Sequence, residues 1–362
     1  GAPALRRFAI GRPVRHLSGQ WQPTRGQGHG GRGMTGGIGR LTLASAAVCA
    51  ALAVPQGAAA QKLEPVAEEP DLAAPGPAPR RVLGFAAISP NDDIPGTTIE
   101  DRWRSGALSL HLVHGRGWDA GPVGFGEVLE FRARAEIITP ESLENPQPGD
   151  RPYAGALTFG VHSHMRRGLH EVRLGAEVVV TGPQTGLSDL QESLHELQDG
   201  LPDPSAAAEG QIGDAAYLAL SGEVTRPFAL GAGVQARPFA AARAGDETFL
   251  RGGVDLLGGS LASGGLLLRD PVTGQLVEGT RGVGTGFGWS AGLDVAAVAG
   301  SVYLPDEDGF PGPEDTRNRA RLGAAWAGEA WAVTLGAAYL TEEFDGQDEG
   351  QVVGALGVTF GF

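Results

Sequence analysis

Four groups of residues in this chain could do chemistry. His195 lies within Thr181–Gly200, TGPQTGLSDLQESLHELQDG. Imidazole gains and loses a proton near neutral pH, so this residue could act as a base or a ligand; a solvated surface histidine is the plainer alternative. Asn91-Asp92-Asp93 opens a polar stretch that also reads as a turn, because Asn, Asp, Pro95 and Gly96 are turn formers. Ser105 adds a hydroxyl just downstream of Asp101-Arg102. Asp150-Arg151-Pro152-Tyr153-Ala154-Gly155 supplies an acid and a base that could cap a strand and pair with each other, a contact worth little when exposed.

The elements that must hold these groups are a short helix and a set of strands. Ser188 with Gln191 has the spacing of a capping box, and Gly200 supplies a stop. Leu187, Leu190, Leu194 and Leu197 recur at helical spacing and predict one apolar stripe. His195 falls just off that stripe, beside the polar positions Ser188 and Gln191.

Strands dominate the rest. In 170–181, Val172, Leu174, Ala176, Val178 and Val180 alternate with Glu171, Arg173, Gly175 and Glu177. In 125–138, Leu129, Phe131, Ala133, Ala135 and Ile137 alternate with Glu130, Arg132, Arg134 and Glu136. A soluble sandwich would put the polar face outside. A transmembrane barrel would turn the apolar face to lipid and the charges to a polar lumen. Three features favour the barrel. Met34 opens a stretch with a basic start at Arg40, an apolar run from Leu41 to Val54 and an Ala58-Ala59-Ala60 site, which reads as a secretory signal peptide. The only cysteine, Cys49, lies inside that run, so the mature chain can form neither a disulfide nor a cysteine metal site. Leu356-Gly-Val358-Thr-Phe360-Gly-Phe362 is an alternating strand with a terminal Phe, which resembles the last strand of bacterial outer-membrane proteins.

The expected organisation is an upstream extension over 1–33, a leader over 34–60, a Pro/Ala linker over 61–81 and an all-β, antiparallel up-and-down barrel over 82–362. Twelve strands are predicted near 82–90, 102–114, 125–138, 151–164, 169–181, 213–227, 229–243, 247–259, 285–304, 316–328, 330–343 and 350–362. An even count lets the first and last strands close antiparallel. With a periplasmic N-terminus, loops 91–101, 139–150 and 182–212 share the extracellular rim, while Met165–Gly168 and a turn near Pro227 lie inside. The parity that turns Leu108, Leu110 and Leu112 to lipid turns Ser105, Ser109 and His111 to the lumen. Seven of the 28 basic residues and none of the 42 acidic ones precede Gln61, so the remainder carries a net charge of about −21. Phosphate binding needs a basic surface, which argues against nucleic acid as a partner.

Taken together, Asn91-Asp92, Asp101-Arg102 with the hydroxyl of Ser105, the Asp150–Gly155 run, Gly182-Pro183 before His195, and Glu343-Phe344 resemble the LpxR-type lipid A 3′-O-deacylases of Gram-negative outer membranes. The resemblance implies a twelve-stranded, monomeric barrel in the outer membrane acting on lipid A or lipopolysaccharide of the outer leaflet.

It further implies calcium as cofactor, held first by Asp92 with Asn91 and Asp93 behind it, and His195 as the base that activates water. Asn91 and Asp92 match the family's active-site pair, Ser105 takes a position that is usually Thr, and Asp150, Arg151 and Tyr153 match a structural motif.

The chain also departs from the pattern. Ser105-Gly106-Ala107 stands where Thr-Asn-Gly is common, and the acidic residue expected after the histidine has only Asp199 or Asp203 as substitutes. Three other readings therefore stay open: a barrel that has lost catalysis and serves a structural or lipid-binding role, a pore lined by Glu130, Arg132, Arg134 and Glu136, and an esterase in which Ser105 is the nucleophile.

Overall fold

The computed structural model describes residues 78–92, 101–118, 121–197, 201–306 and 309–362. The extension and leader expected over 1–60, and the linker up to residue 77, lie outside the described residues.

The strands are β1 (Arg81–Asn91), β2 (Trp103–Gly115), β3 (Val123–Thr139), β4 (Ala154–Arg167), β5 (His170–Thr181), β6 (Ala215–Thr225), β7 (Phe228–Gly231), β8 (Val234–Ala244), β9 (Glu247–Gly259), β10 (Leu267–Arg269), β11 (Leu276–Glu278), β12 (Gly286–Ser301), β13 (Thr316–Ala327), β14 (Trp331–Leu340) and β15 (Gln351–Gly361). Twelve of them form a closed antiparallel barrel. β1 pairs with β15, with Phe85 opposite Phe360, and β6 pairs with β8, with Val224 opposite Ala240. Closure leaves no free edge, the condition for spanning a bilayer with strands.

The period-two pattern sets which face is which. Leu108, Leu110 and Leu112 are exposed on the outer wall, as are Phe131, Leu174 and Val178. Ser109, His111, Glu130, Arg132, Glu136 and Glu177 point inward and are buried. The lumen is not an open channel lined by these charges. Residues 260–285 fold back into it as the β10–β11 hairpin. Gln275 there donates to Ser290 at 2.8 Å, and Arg269 pairs with Glu223 and Asp255 at 3.1 and 2.9 Å. Leu268 and Val277 of the hairpin pack with Ala86, Ile88 and Val113 of the wall.

One turn lies elsewhere than expected. β6 stops at Thr225, and β7 continues the run beyond Arg226-Pro227 by pairing with the start of β8. Proline has no N–H to give to a ladder, so Pro227 interrupts a strand rather than reversing it. The reversal comes at Ala232-Gly233, where φ is 52° and 73°.

Candidate functional site

The long loops gather at one rim and are stitched to one another. Gly149 N donates to Gly309 O at 3.1 Å, Ala207 N to Leu143 O at 3.1 Å, and Glu314 N to Glu343 O at 2.9 Å. Asn91 ends β1 at this rim. Asp92 follows it and is buried, with Oδ2 accepting from the Arg102 backbone N–H at 2.9 Å and from Gln351 Nε2 at 3.4 Å. The Asp92 N–H donates to the Ser105 carbonyl at 3.2 Å, which brings the Asn91-Asp92 and Ser105 groups together. Asp93 lies outside the described residues.

His195 stands between two oxygens. Its Nδ1 is 2.6 Å from the Pro202 carbonyl oxygen, and its Nε2 is 3.0 Å from Asp101 Oδ2. Ser105 donates its hydroxyl to the other oxygen of the same Asp101 carboxylate. The order in space is therefore Ser105, Asp101, His195. Asp199 lies outside the described residues, and the Asp203 carboxylate takes the Ser205 hydroxyl and N–H, which hold it below the usual carboxylate range. Among the described residues, the carboxylate that contacts the ring is that of Asp101, before the histidine in sequence.

A local irregularity sets up Ser105. The β2–β3 register shifts between Trp103 and Gly106, and Trp103 has φ 54°, a left-handed conformation that costs a bulky residue energy. The fold holds it there because Trp103 is buried against Phe344, ring edge to face at 6.5 Å. The shift overturns the parity expected to turn Ser105 to the lumen: Arg104 reaches the lumenal Glu343 and Glu136, while its neighbour Ser105 reaches Asp101.

The histidine rides on helix α1 (Leu187–Glu196), followed by the single turn α2 (Ser205–Glu209). The helix begins two residues earlier than the expected capping box implies. Gly186, at φ 67°, is the N-cap with no side-chain bond, so Ser188 and Gln191 are free to face the wall. Both are buried, and Tyr153 donates its hydroxyl to Gln191 Oε1 at 2.9 Å. Burial, with the Asp101 and Asp189 carboxylates nearby, pushes the Tyr153 phenol above its ordinary range and keeps it a donor. The leucine stripe turns the other way: Leu187 is buried, whereas Leu190, Leu194 and Leu197 are exposed. A soluble helix would hide those leucines; here the polar face is the packed one. Gly155 makes the close approach possible, since a Cβ there would come within 2.7 Å of Thr185 Oγ1 and 3.1 Å of Leu187 Cβ. Gly155 belongs to the outward-facing series of β4, so α1 begins against the outer surface of the wall.

Asp150 and Arg151 do not pair through their side chains. Asp150 accepts from the backbone N–H groups of Glu141 and Arg151, while burial raises its carboxyl. The Arg151 guanidinium is buried and reaches Glu343 at 2.8 Å. Glu343 also takes Arg104 at 2.8 Å and Arg317 at 3.6 Å. Burial alone would raise the Glu343 carboxyl, but these three guanidiniums hold it well below the usual carboxylate range. This knot ties β2, β13, the loop before β4 and the β14–β15 loop beneath the site.

Among the described residues no group of three or more His, Cys, Asp or Glu could hold a metal ion by itself. Asp92, the Asn91 amide, the Ser105 hydroxyl and backbone carbonyls of this rim are nonetheless oxygen donors of the kind calcium takes.

A closed twelve-stranded barrel with an apolar outer wall and a polar, charge-paired interior defines an outer-membrane protein. The sequence matches the family described as outer membrane protein LpxR over residues 125–362, and the chain belongs to that family, a barrel of lipid A deacylase type. The solved structure of LpxR from Salmonella typhimurium is similar, with a TM-score of 0.65 at 19% identity over 77% of this chain and 100% of that one. The β domain of the Bordetella autotransporter BrkA follows at 0.40 and 12% identity, over 78% and 99% of the two chains. The KdgM porin in complex with disordered oligogalacturonate gives 0.37 and 6%, over 77% and 99%. No curated protein matches the sequence.

Proposed function

We propose that the protein hydrolyses the 3′ acyloxyacyl ester of lipid A at the rim of the outer membrane, with His195 as base on water and calcium as cofactor. The observation that carries this reading is the fixed imidazole: Pro202 accepts from Nδ1, and Asp101 and Ser105 line the Nε2 side. With its proton on Nδ1, the ring presents a lone pair at Nε2. Nε2 meets Asp101 directly at 3.0 Å, so a water takes that place as the carboxylate turns aside; it gives one proton to the ring as its oxygen attacks the ester carbonyl, and Asp101 accepts a hydrogen bond from its other O–H. The ring then returns the proton to the leaving alkoxide. Calcium, when held by Asp92 with Asn91 and Asp93, would supply Lewis-acid polarisation of the carbonyl.

Ser105 is a poor nucleophile in this arrangement. Its hydroxyl is committed to Asp101, which stands between it and His195, whereas a nucleophilic serine needs its base within hydrogen-bond reach. The exposed leucines of α1 support action on a lipid, because they face outward beside the histidine at the membrane edge. Mass spectrometry of lipid A treated with the protein, with and without chelator, tests the reading. Release of the 3′ acyloxyacyl group, abolished by chelator, is expected. Intact lipid A under all conditions would move the assignment to a barrel without catalysis.

A further inference from the structure

A second feature lies on the membrane-facing wall below α1. A groove of about 630 Å³ runs across β1 to β6, lined on the outside by Leu110, Phe131, Ala133, Phe159, Ala176 and Val178. The register explains its shape. Leu110 lies opposite Ala133, Ala133 opposite Phe159, and Phe159 opposite Val178, so one row of outward side chains crosses four strands. Ala133 and Ala176 are short, and the larger side chains around them stand up as walls.

Its depth is set by β4. Gly155, under the start of α1, and Phe159, in the groove, are four residues apart on the same outward series, or about 13 Å along the strand. Strand tilt reduces this to roughly 10 Å of depth, within the outer half of a hydrocarbon core about 30 Å thick. A chain that starts at an ester beside His195 and runs down the wall reaches the groove with its far end.

We infer that this groove holds the distal part of the acyl chain whose ester meets His195, and that Ala133 and Ala176 set the length of chain accepted; the inference rests on the deacylase reading above. In lipid there is no hydrophobic gain in leaving other acyl chains, so the groove acts by shape. Close contact along one chain replaces looser contact among many. Fixing that chain restricts where its ester can lie, which is how remote binding aids a reaction.

Two measurements test this. In the first, Ala133→Phe and Ala176→Phe are given an equal mixture of lipid A species with longer and shorter 3′ acyloxyacyl chains, and the products are read by mass spectrometry. Heat-modifiable migration checks that each variant has folded. A shift of about tenfold toward the shorter chain is expected; an unchanged ratio overturns the inference. In the second, lipid A with a photoactivatable group at the far end of that chain is irradiated with wild-type protein. Labelling concentrated on the peptides around Phe131–Ala133 and Phe159–Val161 is expected, and equal labelling of the β13–β14 wall overturns it. The second measurement needs no turnover. Labelling of the groove by a protein that releases no acyl chain would therefore retain the groove and reject the deacylase reading.

Discussion

Histidines meet carboxylates both at the rim and in the lumen of this barrel, and two of these arrangements have bond lengths that barely differ. At the rim, His195 meets Asp101 at 3.0 Å. In the lumen, His111 and His164 meet the two oxygens of Glu130 at 2.7 and 2.8 Å. What separates them is access and the state of the carboxylate. Glu130 is wholly buried and also takes Arg132 at 2.8 Å, and Trp118 packs edge-on against His164 at 6.3 Å. The hairpin of residues 260–285 lies over this cluster through the shared core of Trp118, Leu266 and Leu268. His195 is only partly buried, on a helix whose outer face is apolar. A histidine beside a carboxylate is thus a structural brace where the surroundings saturate it, and a candidate base where a water and an ester can reach it.

Exchange of the two histidines should break the comparison most sharply. His195→Ala is expected to lower deacylation of lipid A by about 10²–10⁴-fold, the usual worth of a general base. His111→Ala should leave the rate per folded molecule near wild type and weaken the fold by about 1–3 kcal/mol, because Glu130 loses a buried partner. Single-turnover assays and urea unfolding in detergent separate the two effects; loss of turnover in His111→Ala at full folding would erase the distinction.

Asp101→Asn should cost less than loss of the base, about 10²-fold. It should also alter the pH profile of kcat/KM, since the charge facing Nε2 is gone. A merely structural role would change folded yield and leave that profile in place.

The knot under the rim gives the third expected outcome. Glu343→Gln leaves Arg104, Arg151 and Arg317 without their shared charge, and breaking a buried pair of this kind costs about 3–5 kcal/mol. The pH dependence follows from the direction of the shift. A carboxylate held below its unfolded value stabilises the fold above that value, and the contribution is lost only as pH falls through the folded one. Glu343 should therefore support the rim from neutral pH down through the ordinary carboxylate range, near pH 4.3. Acid unfolding followed by tryptophan fluorescence checks this; a transition at pH 5–6 that vanishes in Glu343→Gln would contradict it.

The smallest effect belongs to Tyr153. Tyr153→Phe removes one hydrogen bond to Gln191 and should cost about 1 kcal/mol. The expected consequence is faster proteolysis of the 182–214 loop with little change in the barrel's unfolding.

Much of the architecture is legible in the amino-acid sequence, for a physical reason. A strand between lipid and a polar lumen must alternate, and the alternation in 125–138 and 170–181 survives any choice of neighbours. The terminal Phe362 strand and the even count imply closure, and β15 pairs with β1. The segment 260–285 is opaque because its Gly-rich sequence has no period; its conformation is set by the lumen it fills. Pro227 misleads because proline marks both a turn and a broken strand, and only the partner β8 distinguishes them.

For the site, the amino-acid sequence alone shows an imidazole on a short helix, oxygen donors after β1 and a hydroxyl at the start of β2. The helix and the strand ends follow from local propensity, which acts over a few residues, whereas the direction of the Ser105 hydroxyl is set by the register shift in β2. The sequence could not supply Asp101 as the partner of His195, nor Glu343 as the partner of Arg151, because those pairs join residues 94 and 192 positions apart. Only closure of the barrel brings them together. The same holds for the leucine stripe of α1. Periodicity finds the stripe, but which side is packed depends on the wall beneath it, and there Gly155 and Tyr153 draw in the polar face and leave the leucines outside.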